Sequence, residues 1–520
     1  VYAVTLTALN GSCSASVKKS INVSGVASPV RAFTGDITSN TTFYKDSIYI
    51  INGYTFVKNN ATLTIQPGTI IKGGANKATL IITRNGRIDA QGSKNSPIVF
   101  TSAKPAGQRA KGDWGGVIIL GKAVINRPTD CSTCPGAAVA ANEDGIQAAI
   151  EGDLDNASGD ALYGGTDNNH SSGTFSYVRI EFAGTVITPG NEINGLTMGG
   201  LGKETKLDHI QVSFADDDAF EWFGGNVDAK NLISYRNVDD DFDVDFGFSG
   251  KVQFGIALRD SSLYDIGSGP TTNGFESDND GSGTEAKPFT DPTFSNMTIL
   301  GPLANGTPLS YSNSFQNGAR LRRNSSTSIY NSVFMGWNDA VFIDGARSGN
   351  KLMNDTLFFK NNVLAGNLRA VNNSSAPASQ ARGKIMADND SIFSSAGVLV
   401  NPFNYNQPDF RALAASVVSG ANYTGTKISD PFFAQVPFKG AVGPHADSNW
   451  TNCWSNFDPQ NSDYNSSPIV NPAAEANFTF ATSMNNTKVS FTNSSSFSKH
   501  VLWNFGTSAT DTTSNSNPEF

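Results

Sequence analysis

Two acidic triplets, Asp216-Asp217-Asp218 and Asp239-Asp240-Asp241, are separated by 23 residues, and Glu221, Asp243 and Asp245 follow within a few positions. One coil of a parallel β-solenoid holds a similar number of residues. The spacing therefore predicts the triplets on adjacent coils, about 4.8 Å apart. Each pair of like charges at that separation repels by roughly 1 kcal/mol in water, and by more when shielded from solvent. A divalent cation removes the penalty, and hard oxygen donors favour Ca2+ over zinc. A second stretch, Asp278-Asn279-Asp280-Gly281 with Glu285, is also a candidate Ca2+ loop, although it departs from the EF-hand spacing. The plainer reading is that these carboxylates are solvated turn residues capping strand ends by hydrogen bonds.

The same cluster admits catalysis. Arg236 and Arg259 are again 23 residues apart, with Lys251 between them. A basic group beside Ca2+-binding aspartates is the arrangement used by β-helical polysaccharide lyases, and paired carboxylates can also hydrolyse glycosidic bonds. Against this, an arginine next to an aspartate triplet is more often an ion pair than a base, and a fold does not by itself give a function. His170, His209, His445 and His500 are scattered, and no nucleophile–base pair is legible. No catalytic residue is assigned, and a structural role is expected over an enzymatic one.

The elements that must position these groups are short. The 520 residues are 38% hydrophobic with 51 glycines, and the apolar residues fall in short runs of Val, Ile, Leu and Phe separated by Gly, Asn, Ser and Thr. Ala61–Gly68, Thr69–Gly73, Thr79–Thr83, Gly86–Gly92 and Pro97–Ser102 show this punctuation, which recurs through Thr356–Leu364. A chain this long exceeds one ordinary domain unless it is a repeat. The expectation is an all-β, right-handed parallel β-helix over 30–471, with 365–471 as last coils and cap and Asn-rich turns such as Asn361-Asn362 and Asn372-Asn373 as left-handed corners. No regular blade of 40–50 residues supports a propeller.

Lys+Arg 37 against Asp+Glu 46 gives a net charge of −9, and no basic stripe is present, which excludes nucleic acid as an expected partner. No apolar run is long enough to span a membrane. Val1 begins inside a strand pattern, so a mature or excised product is expected. Cys131-Ser132-Thr133-Cys134 can hold zinc, but without a second pair or a His cluster a local disulfide is expected; Cys13 and Cys453 are left to be free or paired between subunits.

The two ends read as complementary pieces of one β-sandwich: residues 1–24, a linker at 25–29, and residues 472–520. Tyr2, Val4, Leu6 and Ala8 are spaced in twos, as are Val489 with Phe491 and Val501 with Trp503 and Phe505. Neither piece can sandwich its apolar face alone, and an unpaired edge invites another strand. Three arrangements stay open: completion between molecules into a head-to-tail homopolymer, a window cut from a longer covalent tandem, or closure within one chain.

Thr69–Pro459 resembles the large β-helix surface proteins exported by type IX secretion in Gram-negative bacteria. The resemblance is carried by Gly112–Gly121 (GDWGGVIILG), Tyr177–Gly184 (YVRIEFAG), Phe220–Gly225 (FEWFGG), Asp239–Asp243 (DDDFD), Asn273–Asn279 (NGFESDN) and Asn456–Gln460 (NFDPQ). The ends resemble a PKD-type, immunoglobulin-like domain through Trp503-Asn-Phe-Gly506, Asn517-Pro518 and Tyr2–Asn10 (YAVTLTALN). The β-helix resemblance implies an extracellular or bacterial cell-surface location, and the complementary half-domains make the expected role a structural subunit of a filament whose partners are other copies and, beyond them, glycans or other cells. The alternative is a carbohydrate-active β-helix enzyme or glycan-binding adhesin.

Overall fold

The computed structural model describes residues 2–10, 13–21, 28–128, 138–142, 145–152, 154, 156–188, 191–265, 272–303, 315–374, 378–413, 416–465, 478–482, 489–493, 503–504 and 512–513. Runs of two to nine residues, many of them β-branched or aromatic, form the strands. These pair in parallel with the strands one coil before and one coil after, over sheets of 17 and 10 strands. Successive coils thus stack into a right-handed β-helix, as expected. The parallel pairing excludes a propeller.

Each full coil has three faces. A first face runs from Thr41–Phe43 and Thr62–Ile65 to Phe359–Lys360, and a second from Val30–Thr34 and Ile48–Asn52 to Asp390–Ile392. They meet at a corner of left-handed residues, Tyr177, His209, Asn231, Phe254, Asn296, Asn331 and Asn361, with φ between 50° and 66°. Asparagine tolerates this conformation because its side chain bonds locally, and Asn361 donates to the Asn331 Oδ1 at 2.7 Å. Asn361 occupies a corner as expected; Asn372 and Asn373 instead lie within the strand Arg369–Asn373.

The third face runs from Tyr54–Val57 through Leu196–Leu201, Phe220–Gly225 and Phe242–Asp245 to Arg369–Asn373. Its inward residues continue as columns: Leu80, Val117, Leu196, Phe220, Phe242 and Phe275 are in register. The rings of Phe220 and Phe242 stack at 5.6 Å, and those of Phe242 and Phe275 at 5.1 Å. The core is therefore a long stack in which each coil buries its neighbours' apolar residues.

The irregular stretch after 365 does two things. The helix Ala378–Asp388 places Ala381 and Ile385 on the end of the core. Residues 398–465 then run back along the outside of the second face, burying Phe410, Val418, Ala441, Val442 and Trp454 against Ile233, Tyr235, Ile256 and Leu258. Most of the expected cap is thus a strap along the side of the coil.

At the ends, Tyr2–Asn10 pairs antiparallel with Cys13–Ile21, Phe478–Thr482 with Val489–Asn493, and Trp503–Asn504 with Thr512–Thr513. Tyr2, Val4, Leu6, Ala8, Val489, Phe491 and Trp503 lie in these strands, whereas Val501, Phe505, Cys131 and Cys134 lie outside the described residues. Cys453 is exposed. No helix among the described residues is long and apolar enough to cross a membrane.

Candidate metal centre

One outward column on the third face changes character along its length. Phe56, Ile81 and Ile118 are followed by Thr197, Glu221, Asp243, Glu276, Arg320 and Phe342. Residues of the segment 125–163 cover the apolar part, with Ile125, Ile150, Leu154 and Tyr163 packed on Ile81 and Ile118. Where that cover ends, the carboxylates begin.

The turn three residues upstream of each strand position supplies a second column: Asn194, Asp218, Asp240, Asn273 and Asn317. Asp218 accepts from the Asp240 backbone N–H at 2.7 Å, and Asp240 from the Asn273 N–H. Asn194 donates to Glu221, and Asn273 to Glu276 at 3.3 Å. Asn194, Asp218 and Asp240 are thus each tied to the next coil, and the strand carboxylates project beside them.

This register differs from the sequence expectation by one residue. Phe220 opposes Phe242, a step of 22 and not 23, so Asp217 lies beside Asp239 and Asp218 beside Asp240. The two outer members drop out of the cluster. Asp216 turns to an ion pair with Lys111. Asp241 points inward, where it pairs with Arg259 at 2.9 Å and accepts from Ser234, both charged groups being fully buried. Burial pushes the Asp241 carboxyl up to about 6, against the pull of Arg259.

Three overlapping groups of carboxylates remain, with ligand oxygens all within 4.8 Å of one another: Asp217, Asp218 and Asp239; Asp218, Glu221 and Asp243; Asp240, Asp243 and Glu276. Burial first, and the neighbouring negative charges second, hold Asp217, Asp218, Glu221, Asp239 and Asp243 well above the usual carboxylate range. Asp240 and Asp245 are raised in the same direction by burial, with Asp239 and Asp278 respectively as the leading neighbours. Glu276 is pushed up to about 8 by burial, although Arg322 pulls it down. Glu151, from the covering segment, also reaches about 8 and acts on Asp217 and Glu221.

The donor set fits a hard cation. The Oδ1 atoms of Asp239 and Asp243 are buried and accept no hydrogen bond, so the site contains desolvated oxygens without a donor. Asp218 and Asp243 each belong to two groups and can bridge neighbouring positions. All ligands are carboxylates, the set that suits Ca2+.

The second candidate loop does not assemble. Asp278 is taken by Arg322 and Arg323, both at 2.8 Å. Asp280 is fully buried and accepts from the Ser282 and Thr284 backbone N–H groups, both at 2.9 Å, closing its own turn. Glu285 accepts from Asn324 at 3.1 Å. Asp280 therefore serves the loop's own structure, and Asp278 and Glu285 tie the loop to residues 322–324 of the next coil.

The expected bases are likewise engaged. Arg236 pairs with Asp260, Arg259 with Asp241 and the Asn237 carbonyl, and Lys251 lies 3.4 Å from Asp430 and 3.6 Å from Asp228. Sequence reasoning missed Glu276 as a member of the cluster and Glu151 as a charge acting on it. The available signal for Glu276 was the repeated three-residue step of Asn194-x-x-Thr197, Asp218-x-x-Glu221, Asp240-x-x-Asp243 and Asn273-x-x-Glu276.

Beyond Glu276 the column turns basic and opens on a cavity of about 470 Å³ lined by Arg320, Arg322, Arg323 and Arg347. A second, of about 420 Å³, shares Asn324 and Arg347 with it and adds Phe289, Asp291 and Lys351. Carboxylate cluster and cationic groove are thus neighbours on one side of the molecule.

No curated protein matches the chain. Among solved structures, the crystal structure of pectate lyase Pel9A matches at 14% identity and a TM-score of 0.33, covering 81% of this chain and 98% of that one. The model of the family described as a pectate-lyase like beta helix domain matches residues 35–398, from the first coil to the last, including every carboxylate of the cluster. On that match the chain belongs to the pectate-lyase like beta helix family.

Proposed function

We propose that the chain is an exported β-helix that holds Ca2+ in its carboxylate ladder and binds an acidic polysaccharide along the adjoining groove. The observation that carries this is the junction of the two charges: Glu276 ends the ladder and is paired with Arg322 of the cationic cavity. A sugar carboxylate laid across that junction can meet the cation on one side and an arginine fork on the other. Cell-surface exposure through type IX secretion goes with this reading, supported by the sequence resemblance. Binding is favoured over cleavage because elimination needs a proton acceptor. Arg322, between Glu276 and Asp278, has its pKa raised by those two carboxylates and stays charged. Calorimetry with oligouronides tests it: binding is expected with Ca2+ and lost with chelator, and binding unchanged by chelator rejects the reading. Absorbance of unsaturated ends in the same mixture reads lyase activity, whose appearance would make the groove an active site.

The end segments carry a second reading, a filament subunit completed strand-by-strand by its neighbours. Its support is that the terminal sheets among the described residues are two-stranded and antiparallel.

A further inference from the structure

The corner where the third face turns into the first carries a separate cavity of about 310 Å³ in the early coils. Successive coils wall it. One brings Arg84 and Arg87 from the passage between Thr79–Ile82 and Arg87–Gln91. The next brings Lys122, just after Gly116–Leu120, and His170, just before Gly173–Glu181. The turns are locked to one another. Asp167 donates its N–H to the Lys122 carbonyl at 2.8 Å, and His170 its N–H to the Asp167 carbonyl at 3.1 Å. The Ser171 hydroxyl donates to the Glu204 carbonyl at 3.1 Å, and Arg84 to the Gln147 Oε1 at 2.7 Å. Gly202 sits so close to this turn that a Cβ there would lie 2.4 Å from the His170 carbonyl oxygen. The walls are thus fixed before any ligand arrives, which lowers the cost of binding one.

Charge inside the cavity is left unmatched. Asp167 and Glu204 line it together with the three cations, yet among the described residues neither Arg87 nor Lys122 lies within ion-pair distance of a carboxylate. Arg236, Arg322 and Lys427, by contrast, are each paired. The cations converge on one imidazole. Burial first and Lys122 second, with Arg87 and Arg84 adding to them against Asp167, hold His170 below its ordinary value. We infer that this cavity binds one sugar unit carrying an oxyanion, and does so without Ca2+. Lys122, Arg84 and Arg87 meet the oxyanion through charge-assisted hydrogen bonds. Asp167 and Glu204 repel a bare anion but accept from hydroxyls, which is what selects a sugar. The volume lies at the small end of ligand pockets and leaves room for a single ring. The site is distinct from the arginine groove. From Gly116–Leu120 to Arg320–Leu321 the third face takes five strand steps, on the order of 25 Å.

The test is calorimetry on the whole chain in chelator, which silences the Ca2+-dependent binding proposed for the arginine groove. The probes are galacturonate, glucose sulfate and glucose phosphate, with glucose and inorganic sulfate beside them. At least one charged sugar should bind about tenfold or more tighter than glucose or inorganic sulfate, and which one does so identifies the anion. Lys122→Gln and Arg87→Gln should each weaken that binding about tenfold, the order expected for one lost charge-assisted bond. Arg347→Gln, in the other cavity, should leave it unchanged. Arg87 is exposed at the start of its strand, so its variant folds and keeps the test open should Lys122→Gln melt early. Three results overturn the site: no charged sugar binds, inorganic sulfate binds as tightly as the sugars, or only Arg347→Gln weakens binding. Failure of the Ca2+-dependent groove leaves this cavity standing, so the two proposals fail separately.

Discussion

At the residue scale, two aspartates only two positions apart have opposite fates. Asp243 faces out with a buried, unpaired oxygen, whereas Asp241 faces in against Arg259. Asp243→Asn removes one like charge and one bridging ligand. The metal-free protein should then melt at the same or a higher temperature, while the rise on adding Ca2+, a few degrees in the parent, should largely vanish. Arg259→Ala leaves the Asp241 carboxyl buried without its cationic partner, which costs about 3–5 kcal/mol whether or not Ca2+ is present. Thermal melts with Ca2+ and with chelator separate the two. The sequence made the triplets visible but not these fates. Residue type says that six aspartates are near one another; only the pairing of Phe220 with Phe242 says which oxygens meet.

At the element scale, the coil was legible because its strands are short, apolar and punctuated by Asn and Gly. The strap was not read as such, although a signal for it exists. The strand Ala229–Tyr235 carries apolar residues on both sides, Leu232 in the inner core and Ile233 and Tyr235 in the outer one. A strand apolar on both faces must be covered outside as well as in. Glu276 escaped for a related reason. The coil from Asp243 to Glu276 takes 33 residues where the preceding one takes 22, so a search at fixed period runs past it. What keeps these unequal coils in register is the inward stack, and Phe242 sits between Phe220 and Phe275 in it. Phe242→Ala should cost about 3–5 kcal/mol. Because each coil contacts only its neighbours, the loss should appear in hydrogen exchange first at residues 220–225 and 275–277 and last at the ends of the solenoid. Uniform loss of protection would contradict this.

At the scale of the molecule, the ladder joins coils from Asp217 to Glu276 with groups that resist ionisation, so its protonation is coupled to the stability of the whole stack. The sign follows from the shifts. A carboxyl raised in the folded state is protonated more readily there than in the unfolded chain, so its contribution is present at acid pH and is lost as pH rises through the folded value. Glu151 and Glu276 place that loss below and around pH 8, starting near the ordinary carboxylate value of about 4.5. In chelator, the melting temperature should fall steadily between pH 5 and pH 8. Saturating Ca2+ binds only the ionised ladder, and at about a hundred times its dissociation constant contributes roughly 2.7 kcal/mol of stabilisation. The fall should then flatten or reverse, and the gap between the two curves should widen toward pH 8. Parallel curves, offset by nothing at any pH, would mean that the carboxylates are solvated and hold no cation. A gap that is constant in pH would place the bound ion on carboxylates of ordinary acidity, away from this face.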